Sequence, residues 1–242
     1  MVLNPKYEQL RGWVECLPAV FEREGEIIYD ARNQIRRFEV DGLTLCVKRF
    51  HRPMLLNRFI YTFFRPSKAK RSFVNGLYLI EHQIGTPEPI AYIEEHSCGL
   101  ITFSYLVTLQ SHLTRLNREW TLNYSPELEE TIRPLARFTA QMHESEALHY
   151  DFSPGNILWD KVNGEYRFEV IDINRMRIGQ KVTLREGARS LRRLCARTSF
   201  FLTFADEYAQ TRGLDKDECT RWILHYRDQF WQHGRKANYD YV

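Results

Sequence analysis

The stretch His149-Tyr150-Asp151-Phe152-Ser153-Pro154-Gly155-Asn156 decides how the rest of the chain is read. A carboxylate and a carboxamide stand five residues apart, with Ser-Pro-Gly between them, so a tight loop can aim both the same way. Upstream, Leu128, Ile132, Leu135, Phe138 and Met142 step by four, three, three and four. That is one apolar stripe of a helix. Ser125-Pro126-Glu127 opens it with a capping hydroxyl, a proline at the first position and an acid at the dipole's positive end. Downstream, Ile157 to Asp160 and Tyr166 to Ile171 read as short strands about an Asn163-Gly164 turn, and Asp172 ends the second of them.

Further out, Gln34 to Val40 and Leu43 to Phe50 form a hairpin across Asp41-Gly42. Leu43, Leu45 and Val47 alternate with Thr44, Cys46 and Lys48, so Lys48 lies on the face opposite the aliphatic trio. After Pro66 the period becomes helical, with Phe73, Leu77, Ile80 and Ile84 on one stripe; Gly85 and Thr86-Pro87-Glu88-Pro89 end it. Two strands, Ile90 to Glu94 and Leu100 to Val107, flank Ser97-Cys98-Gly99. Helices resume from about Leu184. A strand-rich first half with one helix, then a helical second half, is a two-lobed α+β layout. The expected division is residues 1–106 and 107–242.

The chain has 242 residues, 43% hydrophobic and 27% charged. These figures support a real core and exclude disorder or a disulfide-stapled mini-protein. No apolar run approaches the ~20 residues of a spanning helix, and Met1 to Arg11 lacks a secretory h-region. A soluble, non-exported protein is expected. The five cysteines (16, 46, 98, 195 and 219) are odd in number and form no CxxC pair, which fits a reducing compartment and structural thiols. A net charge of +3 does not by itself indicate nucleic acid.

The pattern H-x-D-x-x-x-x-N, followed sixteen residues later by an Asp at a strand end, suits phosphoryl transfer. That reaction needs a carboxylate to take the acceptor hydroxyl's proton, which Asp151 supplies. Asn156 and Asp172 are hard oxygen ligands for Mg2+ on the polyphosphate. Lys48 offers a fixed cation for the phosphates, and Gly155 lets the loop bend.

Leu148 to Leu158, Ile171-Asp172-Ile173-Asn174-Arg175, Val47-Lys48-Arg49-Phe50 and Thr86-Pro87-Glu88-Pro89 together resemble the bacterial Kdo/heptose lipopolysaccharide kinases, of the protein-kinase-like superfamily. The resemblance runs from about Gly25 to the C-terminus. It implies a protein-kinase-like fold, with an antiparallel sheet lobe bearing one main helix and a helical C-terminal lobe. It also implies ATP- and Mg2+-dependent transfer to a sugar hydroxyl, Kdo or heptose, of lipopolysaccharide core or a lipid A precursor at the cytoplasmic membrane face. On it Asp151 is the base, Asn156 and Asp172 the metal ligands, and Lys48 the phosphate clamp. Adenine is expected against the backbone of the inter-lobe strand at Ser104, Tyr105 and Leu106. The rivals are a protein kinase, a small-molecule kinase resembling aminoglycoside phosphotransferases, and a non-catalytic pseudokinase or scaffold.

The chain departs from the superfamily in several places. No G-x-G-x-x-G loop occurs; Arg32-Asn33, in the hairpin at Tyr29 to Ile35, stands where its glycines would be. The helix after Pro66 offers Val74 or Asn75 where a glutamate would pair with Lys48, and its nearest acid is Glu81. Tyr150 replaces the arginine that pairs with a phosphorylated activation loop, and no A-P-E follows, which favours a constitutively formed site. Lys48 to Arg71 holds eight basic residues, no acid, and five aromatics. It reads as a solvated basic loop or as a patch for an anionic membrane surface; no nucleic-acid motif accompanies it. Arg185, Arg189, Arg192, Arg193 and Arg197 read as a solvated helix face that could help bind an anionic acceptor. His143 and His149 are expected to serve structure, not proton transfer.

Overall fold

A computed structural model describes residues 1–31, 33–116, 126–195 and 197–233. The chain divides into two compact units: Met1–Tyr78 with Pro87–His112, and Leu79–Thr86 with Leu113 onward. The division falls at His112/Leu113 instead of after residue 106, and the chain from Leu79 to Thr86 packs with the second unit. The physical reason is the length of one strand, described next.

The first unit is a six-stranded antiparallel sheet. Its strands are β1 (Val2–Leu3), β2 (Glu26–Asp30), β3 (Gln34–Val40), β4 (Leu43–Phe50), β5 (Pro89–Ser97) and β6 (Leu100–Leu109), in the spatial order β1-β5-β6-β4-β3-β2. Asp41 and Gly42 take φ of 49° and 76°, the left-handed pair that a two-residue hairpin turn requires. β6 runs three residues past Leu106 and is paired on both sides. Ser104, Tyr105 and Leu106 lie opposite Phe50, Arg49 and Lys48 on β4, and opposite Glu94, Ile93 and Tyr92 on β5. Their backbone groups are spent in these two ladders, so the expected adenine contact through them does not fit.

Helix α1 (Arg11–Val20) covers one face of the sheet and was not anticipated. Leu10, Val14, Leu17 and Phe21 pack on Leu45, Val47, Ile93, Tyr105 and Val107. On the opposite face α3 (Lys68–Glu81) contributes Ala69 and Phe73, which meet Phe50, Tyr92 and Leu106. Its buried arc is Ala69, Ser72, Phe73, Asn75, Gly76 and Leu79. The anticipated stripe was therefore turned too far: Leu77 and Ile80 are 37% and 40% exposed. Small residues, which a search for apolar side chains passes over, make the close seam. A further helix, α2 (Leu55–Phe63), packs against β6.

The second unit centres on α4 (Pro126–Glu144) and α6 (Thr198–Arg212), with α5 (Leu184–Leu191) and α7 (Lys216–His233) packed beside them. Pro126 opens α4 as anticipated; the capping role given to Ser125 lies outside the described residues. β9 (Ile157–Val162) and β10 (Glu165–Val170) form the anticipated hairpin, with Asn163 and Gly164 at φ of 52° and 84°. β7 (Arg115–Leu116) extends it, and β8 (Leu148–His149) pairs with β11 (Met176–Arg177). The 79–86 segment docks on β10: the Val170 N–H donates to the Gly85 carbonyl (2.9 Å) and the Thr86 hydroxyl to the Val170 carbonyl (2.8 Å). His143 is fully buried on α4, its Nδ1 2.7 Å from the Tyr208 hydroxyl, to which Arg212 also donates. Burial, with Arg212 nearby, pushes its imidazole down to about 3, so it stays neutral and structural, as anticipated.

Two outcomes follow from this packing. A Cβ on Gly85 would sit 2.0 Å from the Phe168 carbonyl oxygen. Gly85→Ala should cost about 1–3 kcal/mol in urea unfolding, and an undiminished midpoint would contradict the docking. Because the folded state refuses His143 its proton, stability should be insensitive to this group above about pH 6.5 and fall as pH drops from there towards 3. His143→Gln should flatten that acid slope by up to about 1.4 kcal/mol per pH unit; an unchanged slope would contradict it.

Candidate active site

The loop from Tyr150 to Asn156 is pinned at its entrance, where β8 pairs with β11 and the Tyr150 N–H donates to the Arg175 carbonyl (3.0 Å). Its exit feeds β9 through a single 3-10 turn, Pro154–Asn156, in which the Asn156 N–H reaches the Ser153 carbonyl. Pro154 sits at the first position of that turn, where its missing N–H costs nothing.

His149 joins this loop to the segment after β10 that carries Asp172. Its ring is buried; Nδ1 accepts from the Asp151 N–H (3.1 Å) and Nε2 donates to the Ile171 carbonyl (3.2 Å). That pattern requires the neutral tautomer protonated on Nε2. Burial lowers the proton affinity of the ring, which keeps the acceptor lone pair on Nδ1. His149 shapes the loop, as its position suggested.

Two further bonds close the frame. The Asn156 amide donates to the Asp151 carbonyl (2.9 Å), and the Ile171 N–H donates to the Asn156 carbonyl (3.0 Å). With its NH2 so occupied, Asn156 is oriented to present Oδ1, the atom a hard cation takes. Asp172 adopts the left-handed conformation (φ 56°, ψ 39°), which costs on the order of 1 kcal/mol for a residue with a Cβ. Asn174, itself buried, donates to Asp172 Oδ1 at 2.8 Å and fixes the carboxylate's direction. Asp151, Asn156 and Asp172 thus hang from one hydrogen-bonded frame within the second unit.

The half-buried Asp151 carboxylate forms an ion pair with Arg193. This partner was missed. The arginine run was read as one helix face, but α5 ends at Leu191, so Arg192 and Arg193 follow it in a turn. Arg185 instead lies over the Trp222 ring (4.1 Å). Arg192 has its pKa lowered by burial and by its neighbours Arg189 and Arg193, with Asp151 opposing. A concentration of positive charge therefore stands beside the Asp151 carboxylate. Arg177 on β11 binds Glu186, whose carboxyl it holds down at about 2, and so ties α5 to the strand pair behind the loop.

The remaining anticipated residues belong to the first unit. Lys48 lies on the face anticipated for it, its ammonium 5.1 Å from the Phe50 ring centroid and close enough to oppose the burial that raises the Cys46 thiol to about 11. Of the two candidates on α3, Asn75 is on the buried face and Val74 on the exposed one. Asn33 accepts from the His51 N–H (3.2 Å), a bond that fastens the β2–β3 turn to the end of β4. Arg32 lies outside the described residues. Ser104 and Tyr105 are buried; the Tyr105 hydroxyl donates to Glu95 (2.7 Å).

Asn156 and Asp172 suit Mg2+, which takes one or two protein oxygens and fills its octahedron from phosphates and water. Among the described residues no cluster of three or more His, Cys, Asp or Glu side chains forms an all-protein metal cage.

Three comparisons bear on this arrangement. The model of the lipopolysaccharide kinase (Kdo/WaaP) family matches residues 20–216. A solved structure described as WaaP in complex with acyl carrier protein is similar to this chain, with a TM-score of 0.64 and 20% identity over 96% of this chain and 100% of that one. At that identity the likeness speaks for the fold. No curated protein sequence matches significantly. The family match takes in the Asp151 loop, Asp172 and Lys48 along most of the chain's length: this protein belongs to the lipopolysaccharide kinase (Kdo/WaaP) family, phosphotransferases that act on lipopolysaccharide.

Proposed function

We propose that this protein transfers the γ-phosphoryl group of ATP, with Mg2+, to a sugar hydroxyl of lipopolysaccharide core, on Kdo or heptose. The observation that carries the reading is the His149-bridged frame, which presents Asp151, Asn156 and Asp172 together. Bound Mg2+ would supply charge neutralisation on the phosphates, with Asn156 Oδ1 and the Asp172 carboxylate as its protein ligands.

The chain's own residues do the rest. Asp151 accepts a hydrogen bond from the acceptor hydroxyl and takes its proton as the new P–O bond forms and the bond from the γ-phosphorus to the bridging oxygen breaks, that oxygen leaving with ADP. Arg193, paired to the same carboxylate, aims it. The Lys48 ammonium binds phosphate oxygens, a role for which a flexible point charge is suited. Hydroxyl groups of a charged, bulky acceptor agree with the arginines beside Asp151 and with the absence of an A-P-E segment from the sequence.

One observation favours a second reading, a non-catalytic nucleotide-binding protein: α3 carries no acid before Glu81, and its buried face bears the carboxamide of Asn75. Transfer of labelled phosphate from ATP to isolated lipid A–Kdo and core fractions separates the two. The proposal predicts Mg2+-dependent transfer that Asp151→Ala lowers by about 10²–10⁴ with nucleotide affinity little changed. Full turnover in that variant would overturn Asp151's role. No transfer to any fraction, with ATP still bound, would favour the second reading, and transfer to peptides alone would point to a protein kinase.

A further inference from the structure

Helix α2 is turned inside out. The side it sets against the β5–β6 hairpin is polar: Arg58 is 6% exposed, and its guanidinium donates to the carbonyls of Ile101 (2.7 Å), Ser97 and Leu100 (3.3 Å each). Thr62 takes the Ile101 N–H (3.0 Å) and donates to the Arg58 carbonyl (2.7 Å). The outward side is apolar. Met54, Leu55, Leu56, Phe59, Phe63 and Phe64 are 49–79% exposed, and the Phe59 ring lies 4.9 Å from that of Phe63 and 5.8 Å from that of Phe64. A water-facing helix ordinarily has the reverse arrangement, and an apolar patch of this kind marks a docking surface.

The charge around the patch selects its occupant. Two of the eight basic residues from Lys48 to Arg71 serve the fold instead: Arg49 pairs with Glu22, and Arg58 is buried. Exposed Arg52 precedes α2, and exposed Arg65 and Lys70 follow it. No Asp or Glu occurs from Gly42 to Ile80. A second copy of the chain would bring like charge against like.

We propose that α2 lies in the plane of an anionic lipid surface. Leu55, Leu56, Phe59 and Phe63 enter the boundary between headgroups and acyl chains, while Arg52, Arg65 and Lys70 meet lipid phosphates. The three carbonyl bonds of Arg58 fix the helix to the sheet, so the apolar side is held outward before any lipid is met. The contact is peripheral: among the described residues no helix is long and apolar enough to cross a membrane. This inference is independent of the phosphotransfer reading, since none of its residues belongs to that machinery.

The test is co-sedimentation of the whole protein with phosphatidylcholine vesicles, with and without phosphatidylglycerol. Binding is expected with phosphatidylglycerol, weakening as salt rises. Leu56→Ser with Phe63→Ser should lower vesicle binding about tenfold or more while thermal unfolding and ATP affinity stay as in the parent. Arg52→Gln with Arg65→Gln and Lys70→Gln should remove the salt-sensitive part. Failure to bind phosphatidylglycerol vesicles would overturn the proposal, as would equal binding by the serine variant. So would self-association, or capture of an acidic soluble protein, that the serine variant abolishes while vesicle binding persists.

Discussion

A single buried imidazole sets the positions on which the site depends. His149 holds the Asp151 N–H with one nitrogen and the Ile171 carbonyl with the other. Both bonds exist together only in the neutral ring protonated on Nε2, and burial secures that state by disfavouring the cation. The loop bearing Asp151 and Asn156 and the segment after β10 bearing Asp172 are thereby fixed to one rigid group. The left-handed backbone of Asp172 and the hydrogen bond from Asn174 then aim the carboxylate. Backbone strain at this one residue is affordable because the surrounding bonds over-determine it.

Much of this was legible in the sequence where a local rule has no competitor. Asp41-Gly42 and Asn163-Gly164 dictated two hairpins, since few residue pairs tolerate two positive φ angles in succession. The spacing of Asp151, Asn156 and Asp172 was readable because the loop, turn and hairpin that relate them are all local. Burial that depends on distant partners was not. α1 shows apolar steps at Leu10, Val14, Leu17 and Phe21, yet short strands around it dominated the reading. The stripe on α3 was misjudged because Ala69, Ser72 and Gly76 form the seam, and small side chains carry little apolar signal. The extent of β6 was underread, so Ser104 to Leu106 were assigned a contact that their ladders preclude. Arg193 gave only a weak sign, one arginine in a run of five, because its partner lies 42 residues away.

The two units place their polar groups by the same device at different scales. In the second unit, buried donors and acceptors are matched around His149, which fixes the Asp151 loop to the Ile171 backbone. In the first, Arg58 is buried against three carbonyls so that phenylalanines and leucines point outward. In each case a satisfied internal network determines what an exposed surface presents. For a family of kinases that act on lipopolysaccharide, an apolar helix flanked by cations and a carboxylate paired with an arginine are compatible demands on one chain.

The central claim is that Asn156 and Asp172 act on a metal-bound triphosphate. Calorimetric titration of ATP with and without Mg2+ tests it most directly, comparing the parent with Asn156→Leu and Asp172→Asn. The account predicts that Mg2+ tightens ATP binding to the parent and that this increment disappears in both variants while metal-free binding persists. An increment that survives in both would contradict it.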